Sequence, residues 1–125
     1  MQRIGKIDLE IYKCVTPDIQ TDEVIITDER VTHIKENHPN DYERYFEYAH
    51  QMIEKPDYII ESAKPNTAVI LKEIEDNNEH LKMVMRLITS NDPENYKNSV
   101  ITFMKIEEKR YDRYLRTKKI LYKRE

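Results

Sequence analysis

"TAVILKEIEDNNEHLKMVMRLIT", residues 67–89, decides the fold. Apolar and polar residues alternate through 67–75 and again through 80–89, with an Asn- and acid-rich run between them. Period-two alternation marks a strand, and two such runs about a short turn read as a β-hairpin. Outward from the hairpin, "DYIIES" (57–62) reads as a short strand and "NSVITFMKI" (98–106) as a further one. "KILYK" (119–123) adds a short closing strand.

The period changes on both sides of this block. Tyr42, Tyr45, Phe46, Ala49, Met52 and Ile53 recur at helical spacing, and Pro56 ends the run. Asn40 and Glu43 have the spacing of a capping box. Before them, "EVIIT" (23–27) is a short apolar run, and Thr27 can cap a helix whose first turn holds Asp28 and Glu29. Pro39 stops that helix near His38. "KIDLEIYKCV" (6–15) alternates through Ile7, Leu9 and Ile11, so a first strand or an N-terminal extension over 1–20 is expected. Residues 107–117 read as a basic helix with Tyr111, Tyr114 and Leu115 on one side. The expected class is α+β: N-terminal helices packed on an antiparallel sheet of about four strands, with a basic C-terminal helix, in one domain over 1–125.

Side chains alternate across a strand. Sorted by parity, the odd positions (Val69, Leu71, Leu81, Met83, Met85, Leu87, Ser99, Ile101, Phe103) are almost wholly apolar and should meet the helices. The even positions hold Lys72, Arg86 and Thr102 among apolar neighbours. These three are expected on one face, either as a solvated open side or as a cationic surface for phosphate.

Composition narrows the choices. The 125 residues are 38% hydrophobic and 36% charged, with nine Tyr, one Gly and one Cys. One glycine leaves no P-loop or Rossmann turn to build, and turns must use Asn, Asp, Pro and Ser. Cys14 alone forms no internal disulfide and no multi-cysteine zinc site, and reads as a small buried hydrophobe. No apolar run nears the roughly 20 residues of a membrane helix, and no signal core follows the N-terminal basic residues. A soluble, cytosolic protein away from membranes is expected. The net charge is −3, but residues 105–125 carry nine Lys/Arg against four acids. A basic tail on an acidic body either directs a polyanion to one face or forms a solvated, salt-bridged helix.

"ITDERVTHIKENHP" (26–39) holds two histidines. Val31, Ile34 and His38 share a narrow arc, so His38 reads as a helix-end or packing residue. His33 lies off that arc with Arg30 and Asn37, as a plain surface histidine or a proton-transfer group. The two are five apart, whereas helical chelation uses shorter spacings, so no metal site is expected. His50 and His80 read as surface residues. A histidine with Lys, Arg and a hydroxyl suffices for RNA cleavage without metal or cofactor.

"TDEVIITDERVTHIKENHPNDYERYF", "PDYII", "MRLITSNDPENYKNSVITFMKI" and "RYLRTKKILYKRE", in that order, resemble the phage-associated branch of the barnase–EndoU–colicin–RelE-like (BECR) nucleases, from about residue 20 to the C-terminus. The resemblance implies two N-terminal helices followed by a four-stranded antiparallel sheet, and a small metal-independent endoribonuclease that leaves a 2′,3′-cyclic phosphate. Such domains occur in phages, mobile elements and toxin systems, so RNA, tRNA included, and a neutralising protein are the partners it implies. Carried onto this chain, His33 would transfer protons, Lys72 and Arg86 would neutralise phosphate, and Thr102 would supply a hydroxyl. Arg30, His38, Ser99 and Tyr122 would support substrate binding. The other readings are a non-catalytic RNA- or protein-binding module and an accessory protein of a phage or mobile element.

Overall fold

The computed structural model describes residues 1–75 and 78–125, so the tip of the 67–89 hairpin, Asp76 and Asn77, lies outside the described residues. In chain order the elements are β1 (Gln2–Lys6), α1 (Leu9–Tyr12), β2 (Glu23–Ile26), α2 (Asp28–Asn37), α3 (Asp41–Glu54), β3 (Tyr58–Ile60), β4 (Thr67–Ile74), β5 (Glu79–Arg86), β6 (Asn98–Ile106), α4 (Glu108–Thr117) and β7 (Ile120–Lys123). One sheet runs β1-β2-β6-β5-β4-β3-β7. β2 pairs with β6 in parallel and every other neighbour is antiparallel.

The class is α+β, and β3 to β6 with α2, α3 and α4 stand where the sequence pattern puts them. The sheet is larger than the expected four strands, and mixed. β1 and β2 extend one edge and β7 the other, so the chain does not open with helices. The alternation over 6–15 misreads a helix. Asp8 caps α1 by accepting from the Glu10 N–H at 2.9 Å, and Tyr12 is fully buried with its hydroxyl donating to the Ile53 carbonyl at 2.7 Å. Ile7 and Ile11 are four apart, a spacing that suits a helix as well as a strand.

Thr27 caps α2 as expected: its Oγ1 accepts from the Arg30 N–H at 3.2 Å. The Asn40–Glu43 capping box does not form. Asn40 stands at the N-terminus of α3 in the left-handed conformation (φ 73°) and makes no side-chain cap bond, while Glu43 pairs with Lys35 at 3.6 Å. Asn66, Asn78 and Asn95 also have positive φ, so asparagine fills the left-handed turn positions that glycine usually takes.

The parity of the hairpin differs from the expectation. β4 pairs with β5 as Ile70↔Met83 and Lys72↔Leu81, joining even residues to odd ones. Paired residues share a face. Ala68, Ile70 and Ile74 therefore join Leu81, Met83, Met85 and Phe103 in the main core beneath α1, α2 and α3. Lys72 belongs to this helix-covered face. Val69 and Leu71 belong to the opposite face, where they pack with Ile60, Met104, Ile106 and Tyr111 of α4.

Candidate functional site

The face opposite α1–α3 carries Thr67, Val69 and Leu71 of β4, Lys82, Val84 and Arg86 of β5, and Ser99, Thr102 and Met104 of β6, as the register dictates. α4 covers one half of it. Tyr111 is buried there, its ring 4.5 Å from that of His80 and edge-on to Tyr58 at 6.2 Å. Beyond α4, Val84, Arg86, Ser99, Ile101 and Thr102 are each partly open to solvent.

A β-bulge builds this open half. Val84 pairs with Thr102 and Met85 with Val100, so Ile101 is an extra residue on β6. The extra residue lets Ser99 and Thr102, of opposite parity, face the same way as Arg86. Arg86 lies across from Ser99 on one side and Thr67 on the other. Its Nη2 reaches Asp92 Oδ1 at 3.1 Å, and Nη1 donates to the Leu87 carbonyl. Asp92 also accepts from the Thr89 N–H at 2.8 Å. That N–H bond, against partial burial and with help from Arg86, holds the Asp92 carboxyl below its ordinary value. Asp92 thus fixes the guanidinium while leaving it partly exposed. In the sequence, the signal for this anchor is a Thr three residues before an Asp, within a run of turn-forming residues.

α2 packs along the same strand from the covered face. β2 runs beside β6 with Ile25 opposite Ser99, ends at Ile26, and α2 begins there and packs along β6. Ile34 is fully buried and seats the helix. Arg30 is half-buried and His33 exposed. Asn37 Nδ2 lies 3.3 Å from His33 Nδ1 and donates to the His33 carbonyl at 2.9 Å. His38 closes the helix, half-buried, its N–H donating to the Ile34 carbonyl at 2.8 Å. Among the described residues, no hydrogen bond or ion pair joins these histidines to Arg86, Ser99 or Thr102.

Two candidates lie on the other face. Lys72 is 8% exposed; its ammonium donates to the Lys55 carbonyl at 2.8 Å and stands 3.4 Å from Asp57 Oδ1. The expectation that it shares a face with Arg86 and Thr102 is corrected by the even-to-odd pairing of the hairpin. Tyr122 pairs with Ile59 and packs, partly buried, against the main core. His80 is not a surface residue: it is 5% exposed, between Tyr111 and the Glu73 carboxylate at 4.0 Å. Cys14 is free and half-buried.

The sequence reading passed over one further constellation, in which Lys82 of β5 and Arg110 of α4 both donate to the Tyr114 hydroxyl, at 2.9 and 3.0 Å. Its only sequence signals are the Arg110/Tyr114 helical spacing and the shared parity of Lys82 and Arg86. Among the described residues no group of three or more His, Cys, Asp and Glu side chains is placed to hold a metal ion, and no helix is long and apolar enough to cross a membrane.

A family model described as phage-Barnase-EndoU-ColicinE5/D-RelE like nuclease 2 matches residues 1–123. No curated protein and no solved structure matches the chain.

Proposed function

The chain belongs to this family of phage-associated BECR-like nucleases, and from that premise we propose that it is a metal-independent endoribonuclease acting on the open half of the sheet. The observation that carries the reading is the β5–β6 register, whose bulge gathers Arg86, Ser99 and Thr102 on one partly open surface. A guanidinium and two hydroxyls are donors for the non-bridging oxygens of a phosphodiester, where negative charge builds in the transition state.

In this reading the substrate's own 2′-oxygen attacks phosphorus. The 2′-O–P bond forms, the P–5′-O bond breaks, a base takes the 2′ proton and an acid protonates the 5′ oxygen. The products are a 2′,3′-cyclic phosphate and a free 5′-hydroxyl. His33, exposed on the helix beside β6, is the proton-transfer residue, because imidazole titrates near neutrality and serves as base or acid. Arg30 and His38 lie on the same helix. Lys72 is given no phosphate contact here: its ammonium is occupied by Lys55 and Asp57.

The test is cleavage of total tRNA and of a generic RNA in excess EDTA, with the product ends identified. Cyclic phosphate ends, lost with His33→Ala, support the reading. Cleavage that depends on added metal, or that leaves 5′-phosphates, overturns it. The second reading, RNA binding without turnover, draws on the exposed Arg113, Arg116, Lys118 and Lys119 of the C-terminal segment. It predicts salt-sensitive affinity and intact RNA in the same assay.

A further inference from the structure

We propose that Lys82, Arg110 and Tyr114 form a phosphate-binding subsite, separate from Arg86, that holds a phosphodiester further along the strand that carries the scissile one. The identity of the strand rests on the nuclease reading; the affinity for phosphate does not.

Charge pairing sets Lys82 and Arg110 apart. Lys72, Arg44, Lys97 and Arg124 each have a carboxylate within ion-pair distance. Among the described ion pairs, Lys82 and Arg110 have none. α4 carries Glu108 and Asp112, with Glu107 just before it, yet neither cation turns to them. Both instead donate to one neutral oxygen, from β5 at 2.9 Å and from α4 at 3.0 Å. Both also lie over the same ring, at 4.8 and 5.4 Å from its centroid.

Two like charges brought to one point repel each other unless an anion stands between them. The tyrosine answers in that sense. Burial raises its phenol, but the bonds from Lys82 and Arg110 outweigh burial and hold it below its ordinary value. A site that favours a phenolate oxygen has the donors and the field for a phosphate oxygen.

The position of Lys82 and Arg110 suits a strand that also meets Arg86. Lys82 and Arg86 point to the same face of β5 with Val84 between them. At about 3.3 Å per residue they are roughly 13 Å apart along the strand. A single strand laid from Arg86 toward α4 meets the Lys82–Arg110 pair next. This places the further backbone against α4, whose Arg110 has no carboxylate partner among the described residues.

The experiment uses the full chain and two probes: inorganic phosphate, and a short single-stranded RNA with 2′-O-methyl groups throughout, which its own 2′-oxygen cannot cleave. Both are expected to shift the Tyr114 ring resonances. Lys82→Gln with Arg110→Gln should lower the slope of log affinity against log salt by about 1.4, two contacts at about 0.7 each for a single strand. Lys82→Arg with Arg110→Lys keeps both charges and should keep the slope. Unmoved Tyr114 signals, an unchanged slope in the folded double-Gln variant, or an equal loss in the charge-keeping variant overturns the subsite. If total tRNA and generic RNA stay uncut in the EDTA assay but phosphate shifts Tyr114 in the parent and not in the double-Gln variant, the subsite stands and the nuclease reading falls. Unmodified RNA cut in the EDTA assay by a protein whose Tyr114 is unmoved by either probe gives the reverse.

Discussion

The two faces of the sheet treat cations differently. On the helix-covered face Lys72 is buried against a carbonyl and Asp57, and Arg124 reaches the same carboxylate at 3.1 Å. On the other face Arg86 has one carboxylate partner and remains partly exposed, while Lys82 and Arg110, which have no carboxylate partner among the described residues, both meet a phenol. A buried charge with its partners in place is part of the framework, because removing either member strands the other. A half-exposed cation without a carboxylate is free to meet a polyanion. Lys72 and Arg86 lie on two strands of one hairpin, so face, and not residue type or sequence proximity, separates their roles.

The largest expected effects come from the residues assigned to the reaction, His33 of α2 and Arg86 of the open face. His33→Gln should lower the cleavage rate by about 10²–10⁴, the usual contribution of a positioned acid or base. Stability should stay within about 0.5 kcal/mol, since the side chain is exposed. Arg86→Ala should lower the rate by about 10²–10³ through lost transition-state charge stabilisation. Single-turnover rates beside thermal melts check both. Full activity in a folded Arg86→Ala protein would remove the open half of the sheet as the reaction surface.

Lys72→Met asks the opposite question. Breaking a buried pair costs about 3–5 kcal/mol, and Arg124 still offers Asp57 a partner, so a loss of about 2–3 kcal/mol is expected in urea unfolding. Activity per folded molecule should be unchanged. A variant that keeps its stability and loses its activity would exchange the roles of the two faces.

Much of this division was hidden from the sequence for physical reasons. The hairpin, α2, α3 and α4 were legible because each has a clean period and a stop signal: Thr27 and Pro39 around α2, Pro56 after α3. Face assignment depends on register, and register is a pairing property. Ile74↔Glu79 joins even to odd, and a one-residue change of pairing moves a whole set of side chains to the other face. Lys72 was misassigned for that reason alone. The bulge at Ile101 gives no local signal, yet it decides that Ser99 joins Thr102. Arg86 and Thr102 were legible as polar residues in mid-strand, and His33 as a residue off the apolar arc of its helix. Lys82, Tyr114 and Arg110 were not, since they meet only when α4 packs on β5. The same packing buries His80 under Tyr111.

The smallest expected effect sharpens the comparison at single phenols. Tyr45, on the helix-covered face, is raised to about 12 by burial and then by Glu79. Tyr12, on the same face, is raised well above its ordinary value, chiefly by burial. A phenol with a raised folded value holds its proton more tightly in the native state, so its contribution to stability is complete below the unfolded value near 10 and is lost as pH rises through the folded one. Tyr114 has the opposite sign. Its lowered value means the native state releases the proton more readily, so its contribution appears as pH rises toward 10. An ultraviolet titration of the native protein should show an early-ionising phenol that Tyr114→Phe removes, well separated from the late phenols of the covered face. Lys82→Gln should shift that early phenol upward by withdrawing one of its two donors. An early phenol that persists in Tyr114→Phe would mean that the cations on the open face do not act on this oxygen, and the electrostatic contrast between the faces would then rest on Arg86 alone.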